Sequence, residues 1–196
     1  MKILELRFQV TGRSLPIYHG YALYGAISRL IPAVHQLPHL AIDSIRGIHS
    51  GPGRLALSPP STLNLRLPES YLPLIQPLAG QRLELDGHQI SISQPLTCEL
   101  VPSPSLHSRL VTVKGHTDPV AFSTALLRQL ERLGIHAEPN IGPRRIIRIS
   151  NHTIVGFEVT LIDLEENASL ILQGVGLGGR RKMGGGFFNP VPALAK

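Results

Sequence analysis

Near the C-terminus, Gly174-Val175-Gly176-Leu177-Gly178-Gly179-Arg180-Arg181-Lys182-Met183-Gly184-Gly185-Gly186 sets seven glycines around three consecutive cations. Glycine lets a backbone N–H approach an anion closely because no Cβ intervenes, and adjacent cations repel one another unless an anion meets them. The chemistry favoured is the holding of a polyanion's backbone, with Gly176, Gly178, Gly179, Arg180, Arg181 and Lys182 as the expected contacts. For the glycines alone, the other reading is a flexible turn between a helix and a last strand. The letters Gly174-x-Gly176-x-x-Gly179 match the dinucleotide fingerprint, but that motif follows a first strand and precedes an acidic residue about 20 positions on. No acidic residue follows here. A Walker loop is excluded because Arg180-Arg181 stands where Lys-Ser/Thr is required, and a kinase glycine loop belongs near the start of a far larger domain.

A second group of chemically capable residues lies at the other end of the chain. A helix expected over roughly Gly20 to Val34 has Leu23, Ile27, Leu30, Ile31 and Val34 at helical spacing as its core stripe. At about 100° per residue, Tyr21, Tyr24, Ser28 and His35 fall on one opposite face, within roughly 60° of each other, with Arg29 at its margin. An aromatic, hydroxyl and imidazole face on a half-buried helix is a candidate site. The bland alternative is a solvated face with scattered tyrosines.

Composition fits an anionic partner. The 196 residues carry 19 Lys plus Arg against 13 Asp plus Glu, a formal net charge of +6, and a sequence pI near 10.0. That balance suits nucleic acid or an anionic membrane and says nothing of fold. With 42% apolar residues the chain is globular and not a basic disordered tail. Apolar runs are too short to span a bilayer, and Met1-Lys2-Ile3-Leu4-Glu5 leads straight into an alternating strand with no signal-like apolar region. Cys98 is the single cysteine, so no internal disulfide is possible and the cytoplasm is the expected compartment.

The elements that must position these residues follow from periodicity. Lys2 to Val10 alternates as a strand and ends at Thr11-Gly12-Arg13. After the Tyr24 helix, Asp43 to Gly53 is expected as a short strand running into a Gly/Pro turn, with His49 at the strand's end. Ser61 to Leu67 alternates, a Pro-punctuated helix covers about Glu69 to Leu78, and Arg82 to Asp86 with Gln89 to Ser93 form a hairpin around Gly87-His88. This is the β-α-β-β-α-β order of a ferredoxin-like module. Gln94-Pro95 and Pro102-Ser103-Pro104-Ser105 mark the join, with Leu96 to Val101 able to continue the sheet. The plan then repeats: a strand at Arg109 to Val113, a helix capped by Asp118-Pro119 and ending at Gly134, a hairpin of Pro143–Ile149 and Thr153–Ile162 across Ser150-Asn151-His152, a helix at Glu165 to Leu172, the glycine loop, and a last strand from Phe187-Phe188. The expected fold is α+β: two tandem ferredoxin-like (βαββαβ) modules, residues 1–94 and 95–196, with the C-terminal Gly-rich loop at 174–186.

The chain resembles the CRISPR-associated endoribonucleases that cut repeat RNA into guide units, members of the repeat-associated mysterious protein superfamily, in a cyanobacterial/myxobacterial-type subgroup. The glycine loop with Arg180-Arg181-Lys182-Met183 carries most of the resemblance. Leu15-Pro16-x-x-His19-Gly20-Tyr21-Ala22-Leu23-Tyr24, Ile45-Arg46-Gly47-Ile48-His49 and Arg109-Leu110-Val111-Thr112-Val113-Lys114-Gly115 add to it. It implies two ferredoxin-like modules, a basic RNA path along their junction, and cleavage without metal or other cofactor. The implied partner is a CRISPR repeat RNA hairpin, with CRISPR effector subunits as further partners and no membrane.

Such cleavage uses the RNA's own 2′-hydroxyl as nucleophile and leaves a 2′,3′-cyclic phosphate and a 5′-hydroxyl. It needs a base, an acid and cations for the charge developing on phosphorus, roles that histidine and arginine suit. No Cys/His cluster suggests zinc, and no paired carboxylates at useful spacing suggest a two-metal nuclease. His49 is the first choice of catalyst, because it resembles the family's histidine after the first helix and lies on a Gly-flanked segment. His35 is the runner-up, on the Tyr21/Tyr24/Ser28 face. His19, at the helix entry, suits a structural role equally well. Arg29 would approach the scissile phosphate; Arg144, Arg145 and Arg148 either grip a stem's phosphates or line an exposed sheet face. With no Trp and five Phe, stacking on single strands is disfavoured against shape and phosphate contacts on a hairpin. Two other classes remain at this point: a non-catalytic guide-RNA-binding subunit of a CRISPR effector complex, and an unrelated basic α+β structural protein.

Overall fold

Leu4, Leu6, Phe8 and Val10 alternate along strand β1 (Ile3–Gly12), and all four side chains are buried on one face of a sheet. β1 is the centre of an antiparallel five-stranded sheet ordered β3-β6-β1-β8-β7, built from β3 (Ala41–Ile42), β6 (Thr62–Pro68), β7 (Arg82–Leu85) and β8 (His88–Glu99). The first four of these strands lie in the ferredoxin-like order, and β7 adds a hairpin to the outer edge. That hairpin turns at Asp86-Gly87, both at positive φ (50° and 83°), as a two-residue turn of the primed kind requires. β8 continues through Gln94-Pro95 to Glu99, paired with β1 across a bulge between Phe8 and Val10. The computed structural model describes residues 1–149 and 152–191. Its first compact unit is Met1–Glu99 with Lys182–Gly184, and its second is Leu100–Arg181 with Gly185–Lys196.

Two elements of the first unit differ from expectation. Helix α1 spans Gly20–Leu30 instead of reaching Val34, because the residue before a proline is excluded from the α region: Ile31, before Pro32, sits at φ −130°, ψ 83°. A 3₁₀ turn, Pro32–Gln36, follows and carries His35. The segment expected as one helix from Glu69 to Leu78 is three short pieces, with only Leu72–Ile75 (α2) α-helical, since Pro73 and Pro77 each remove a backbone donor. α1 and α2 pack Leu23, Ile27 and Ile75 against the inward residues of the sheet.

The short strand expected between Asp43 and Gly53 is present as two residues, with His49 at its end as expected. Only Ala41–Ile42 joins the main sheet, against Arg66 and Leu65 of β6. The chain then leaves, and β4 (Ile48–His49) pairs with β5 (Arg54–Ala56), which pairs with β2 (Ser14–Pro16) in a separate three-stranded sheet. Gly47 is required there, because a Cβ would lie 2.6 Å from the Ala56 carbonyl oxygen.

On the face of β1 away from that core, Glu5 is buried and accepts the Nε–H of Arg66 at 2.9 Å, while Arg7 donates to its other oxygen at 2.9 Å. Burial presses the Arg66 guanidinium toward neutrality, and the Glu5 carboxylate opposes that. Removing one member of a buried charge pair is expected to cost about 3–5 kcal/mol. Glu5→Ala should therefore lower the urea midpoint of unfolding steeply, and pairing Glu5→Leu with Arg66→Met should recover much of the loss. Equal stability of Glu5→Ala and the native chain would show that the pair contributes nothing.

The second unit is ordered β10-β11-β9-β12, the ferredoxin-like arrangement, from β9 (Leu106–Val111), β10 (Asn140–Ile149), β11 (His152–Leu161) and β12 (Asn189–Pro190). Helix α3 (Pro119–Arg132) begins as expected: the Asp118 carboxylate accepts the amides of Val120 and Ala121, and Pro119 needs no partner. Phe122, Leu126 and Leu130 of α3 and Leu172 of α4 (Glu166–Val175) meet Phe157, Val159 and Phe188 in the core. Phe122 and Phe157 are tilted against each other with ring centroids 4.6 Å apart. The turn expected at Ser150-Asn151 and the side chain of Arg148 lie outside the described residues. Among the described residues no helix is long and apolar enough to cross a membrane.

Candidate active site

The Pro32 break that shortens α1 turns His35 back over the helix. The Tyr24 hydroxyl lies 2.7 Å from His35 Nδ1, and the two rings meet edge to face with centroids 5.4 Å apart. Tyr24 is half-buried, packed on the first unit's core, whereas His35 is exposed. The tyrosine thus fixes the imidazole's position through Nδ1, and among the described residues no group bonds Nε2. A ring held at one nitrogen and open at the other can move a proton at the open one.

Beside it stands a cation from the far end of the sequence. Lys182 Nζ donates to the carbonyls of Val34 (2.7 Å) and His35 (3.0 Å), at the end of the 3₁₀ turn. Two of its three protons are thereby used, and one is left for a further acceptor. Partial burial holds its ammonium pKa below the ordinary lysine value. The segment Lys182–Gly184 is locked in place by the Gly184 amide, which donates to Ile42 at 3.1 Å. Gly20 and Gly184 have no room for a Cβ, which would overlap the Met183 carbonyl oxygen and Ser44 Oγ respectively.

The glycine loop is built differently from the cradle its composition suggested. The amides of Gly176, Gly178, Gly179, Gly184, Gly185 and Gly186 are bonded within the protein, to Leu172, the Gln129 side chain, Thr112, Ile42, Arg180 and Leu110. They are not the free donors expected. The glycines are needed because backbone passes directly against backbone: a Cβ on Gly178 would lie 2.5 Å from the Thr112 oxygen, and one on Gly176 or Gly186 would overlap the Gly186 or Leu177 carbonyl. Arg181 also points inward, its NH2 donating to the Gly174 carbonyl at 2.9 Å. Arg180 is exposed and held at φ +61°, a conformation that costs a non-glycine residue of order 1 kcal/mol and is tolerated where surroundings enforce it.

The other predicted residues each have surroundings of their own. Arg29, in the last turn of α1, extends toward β7, its NH2 3.5 Å from the Glu84 carbonyl. His49 is exposed on β4, opposite Leu55 in register, and among the described residues nothing bonds its ring. His19 is fully buried, with Nδ1 2.8 Å from the Pro16 carbonyl and Nε2 accepting the Ile45 amide at 2.9 Å, so both ring nitrogens hold the backbone together. Of the helix face, Ser28 is buried and Tyr21 is exposed. In the second unit Arg144 is exposed on β10, while Arg145 is paired with Glu158, its Nε 2.9 Å from the carboxylate. Among the described residues no three His, Cys, Asp or Glu side chains group to hold a metal ion. The sequence placed Lys182 in a phosphate-holding run; its carbonyl contacts with the His35 turn carry no local signal, the two residues being 147 positions apart.

Two ferredoxin-like modules joined to this glycine loop define a class: a family model described as "Cas6 Crispr" matches residues 4–193, and the chain belongs to that family. Over all 196 residues it is 40% identical to "CRISPR-associated endonuclease Cas6" of Myxococcus xanthus (strain DK1622), covering 100% of this chain and 85% of that relative. Among solved structures it is similar in fold to "An RAMP protein binding different RNA substrates" (TM-score 0.67, 15% identity, 98% and 100% of the two chains). A "CRISPR associated protein Cas6" gives a TM-score of 0.66 at 11% identity, over 97% and 99%.

Proposed function

We propose that this protein is a metal-independent endoribonuclease that cuts CRISPR repeat RNA at the base of a repeat hairpin, leaving 2′,3′-cyclic phosphate and 5′-hydroxyl ends. Full-length identity of 40% to a CRISPR-associated endonuclease supports the reaction class. The observation that carries the choice of site is the Tyr24–His35 pair at 2.7 Å beside the Lys182 ammonium. His35 Nε2 takes the 2′-hydroxyl proton as the 2′-oxygen–phosphorus bond forms; the phosphorus–O5′ bond breaks, and the departing O5′ takes a proton from solvent water. Tyr24 holds the ring through Nδ1. Lys182 clamps the backbone that carries His35 and presents its remaining N–H to the phosphoryl oxygens, where fixed cations stabilise the charge that develops. Arg180, exposed and held in a costly conformation, contacts the RNA backbone with Gly179 at the loop's surface, and Arg144 extends the basic surface on the second unit.

The test is cleavage of the host's labelled CRISPR repeat RNA in excess EDTA, with the product ends identified by their sensitivity to phosphatase before and after acid treatment. Cutting in EDTA to a cyclic-phosphate end supports the reading. Tight binding without cutting would assign the protein instead to the non-catalytic guide-RNA-binding subunits. Lys182 adds a pH signature. Burial favours its neutral amine, so its charge is lost at a lower pH than an ordinary lysine's, and cleavage should fall as pH rises through that lowered value. Lys182→Arg, whose guanidinium stays charged, should move this alkaline limb upward; an unmoved limb would remove Lys182 from the reaction.

A further inference from the structure

The first unit carries a second basic surface that the catalytic reading does not use. A cleft of about 600 Å³ lies where the small β2-β5-β4 sheet meets the β7–β8 hairpin, lined by Arg13, Ser14, Ser50, Arg54, Ala56 and His88 among others. No carboxylate lines it, and the nearby Glu84 is turned back on the Gly87 amide. Arg13 and Arg54 are both exposed, and among the described residues neither is in an ion pair. Two uncompensated guanidinium groups on one concave wall repel each other and concentrate anions. His88 Nδ1 lies 2.8 Å from the Ser14 carbonyl, an acceptor only, so Nδ1 carries the proton and the ring is fixed against the cleft wall.

The register adds an apolar shelf. Ile48, Ala56 and Ser14 stand opposite one another across the three strands, and directly paired residues share a face. Ile48 is 64% exposed at the end of that row, paired with Ala56 of the cleft lining. Guanidinium forks take a nucleotide's phosphates, and apolar surface next to them is covered by its sugar or base without stacking.

We propose that this cleft is a second RNA subsite, binding one or two unpaired nucleotides of the substrate through phosphate contacts at Arg13 and Arg54 with a base laid on Ile48. The proposal rests on the reading of the protein as an RNA-cutting enzyme, but its test separates the two. In the full-length protein, Arg13→Ala/Arg54→Ala is compared with the native chain for binding of labelled repeat RNA and of unstructured decauridylate by fluorescence anisotropy across a series of KCl concentrations. Loss of two phosphate contacts should weaken binding of both RNAs about tenfold and reduce the slope of log affinity against log salt by about two. The cleavage rate at saturating protein should stay within about twofold of native. Arg13→Lys/Arg54→Lys should restore the slope, which a fold defect would not allow.

Unchanged affinity and slope would overturn the subsite and leave the cleavage reading standing. A collapse of the saturated rate would also overturn it, by placing the two arginines in the reaction. Displacement of decauridylate from the native chain, but not from the alanine variant, by millimolar inorganic phosphate would make the cleft a free-phosphate site and end the RNA assignment. If the native chain fails to cut repeat RNA while the variant still loses decauridylate affinity, the subsite holds and the cleavage reading falls.

Discussion

His35→Ala should reduce single-turnover cleavage of repeat RNA by about 10²–10⁴-fold while leaving RNA affinity within a few-fold of native, the range expected for loss of a positioned acid or base. The expectation rests on placement: the ring is bonded at one nitrogen by Tyr24 and open at the other, and Lys182 holds its backbone. Tyr24→Phe keeps the ring contact but removes the hydroxyl that orients Nδ1, so it should cost far less, about tenfold. His49→Ala, the same chemical change on an exposed two-residue strand, is the comparison that decides the site. Loss of cutting in His49→Ala with His35→Ala fully active would transfer the catalytic role to His49. Loss in neither, with the native protein active in EDTA, would remove histidine at both positions from the reaction.

Gly186→Ala should destabilise the second unit by about 3 kcal/mol. A Cβ there overlaps the Leu177 carbonyl oxygen, and the residue's φ of +63° disfavours any L side chain. Its amide also donates to Leu110 at 2.7 Å, so relieving the overlap by moving the backbone breaks a bond to β9. The effect should appear in urea unfolding as a lower midpoint with a similar slope. Gly134→Ala is a useful control: the φ is likewise positive, +68°, but a Cβ would meet nothing within 4 Å, so the cost should fall to about 1 kcal/mol. Equal losses at the two positions would mean that the loop's glycines serve backbone conformation alone. A larger loss at Gly186 would show that close backbone packing is what the loop requires.

Much of this architecture could be read from local pattern. The alternation of Leu4, Leu6, Phe8 and Val10, the Asp118-Pro119 cap and the helical spacing of Phe122, Leu126 and Leu130 are properties of a few neighbouring residues, and each appears where its pattern lies. Prolines marked the departures, at Pro32, Pro73 and Pro77, but a periodicity that spans a proline cannot say where the helix gives way. The strand expected toward His49 is present only as Ile48–His49, and its partner was not legible locally. Whether Ile48–His49 pairs with β6 or with β5 is decided by the partner's register and by the close approach at Gly47, neither of which lies within the segment.

The candidate site shows the same division. Sequence alone determined the basic character of the chain, the two repeats of the ferredoxin-like plan, the glycine run with its three cations, and a small set of histidines able to move protons. Tertiary structure decided which donors of the loop were already engaged, turned Arg181 inward while leaving Arg180 exposed, and brought Lys182 to the turn that carries His35. Local pattern fixes φ, ψ and facing direction over one or two turns. A hydrogen bond between residues 11 or 147 positions apart exists only after the core has closed, because packing, and not spacing, sets that distance.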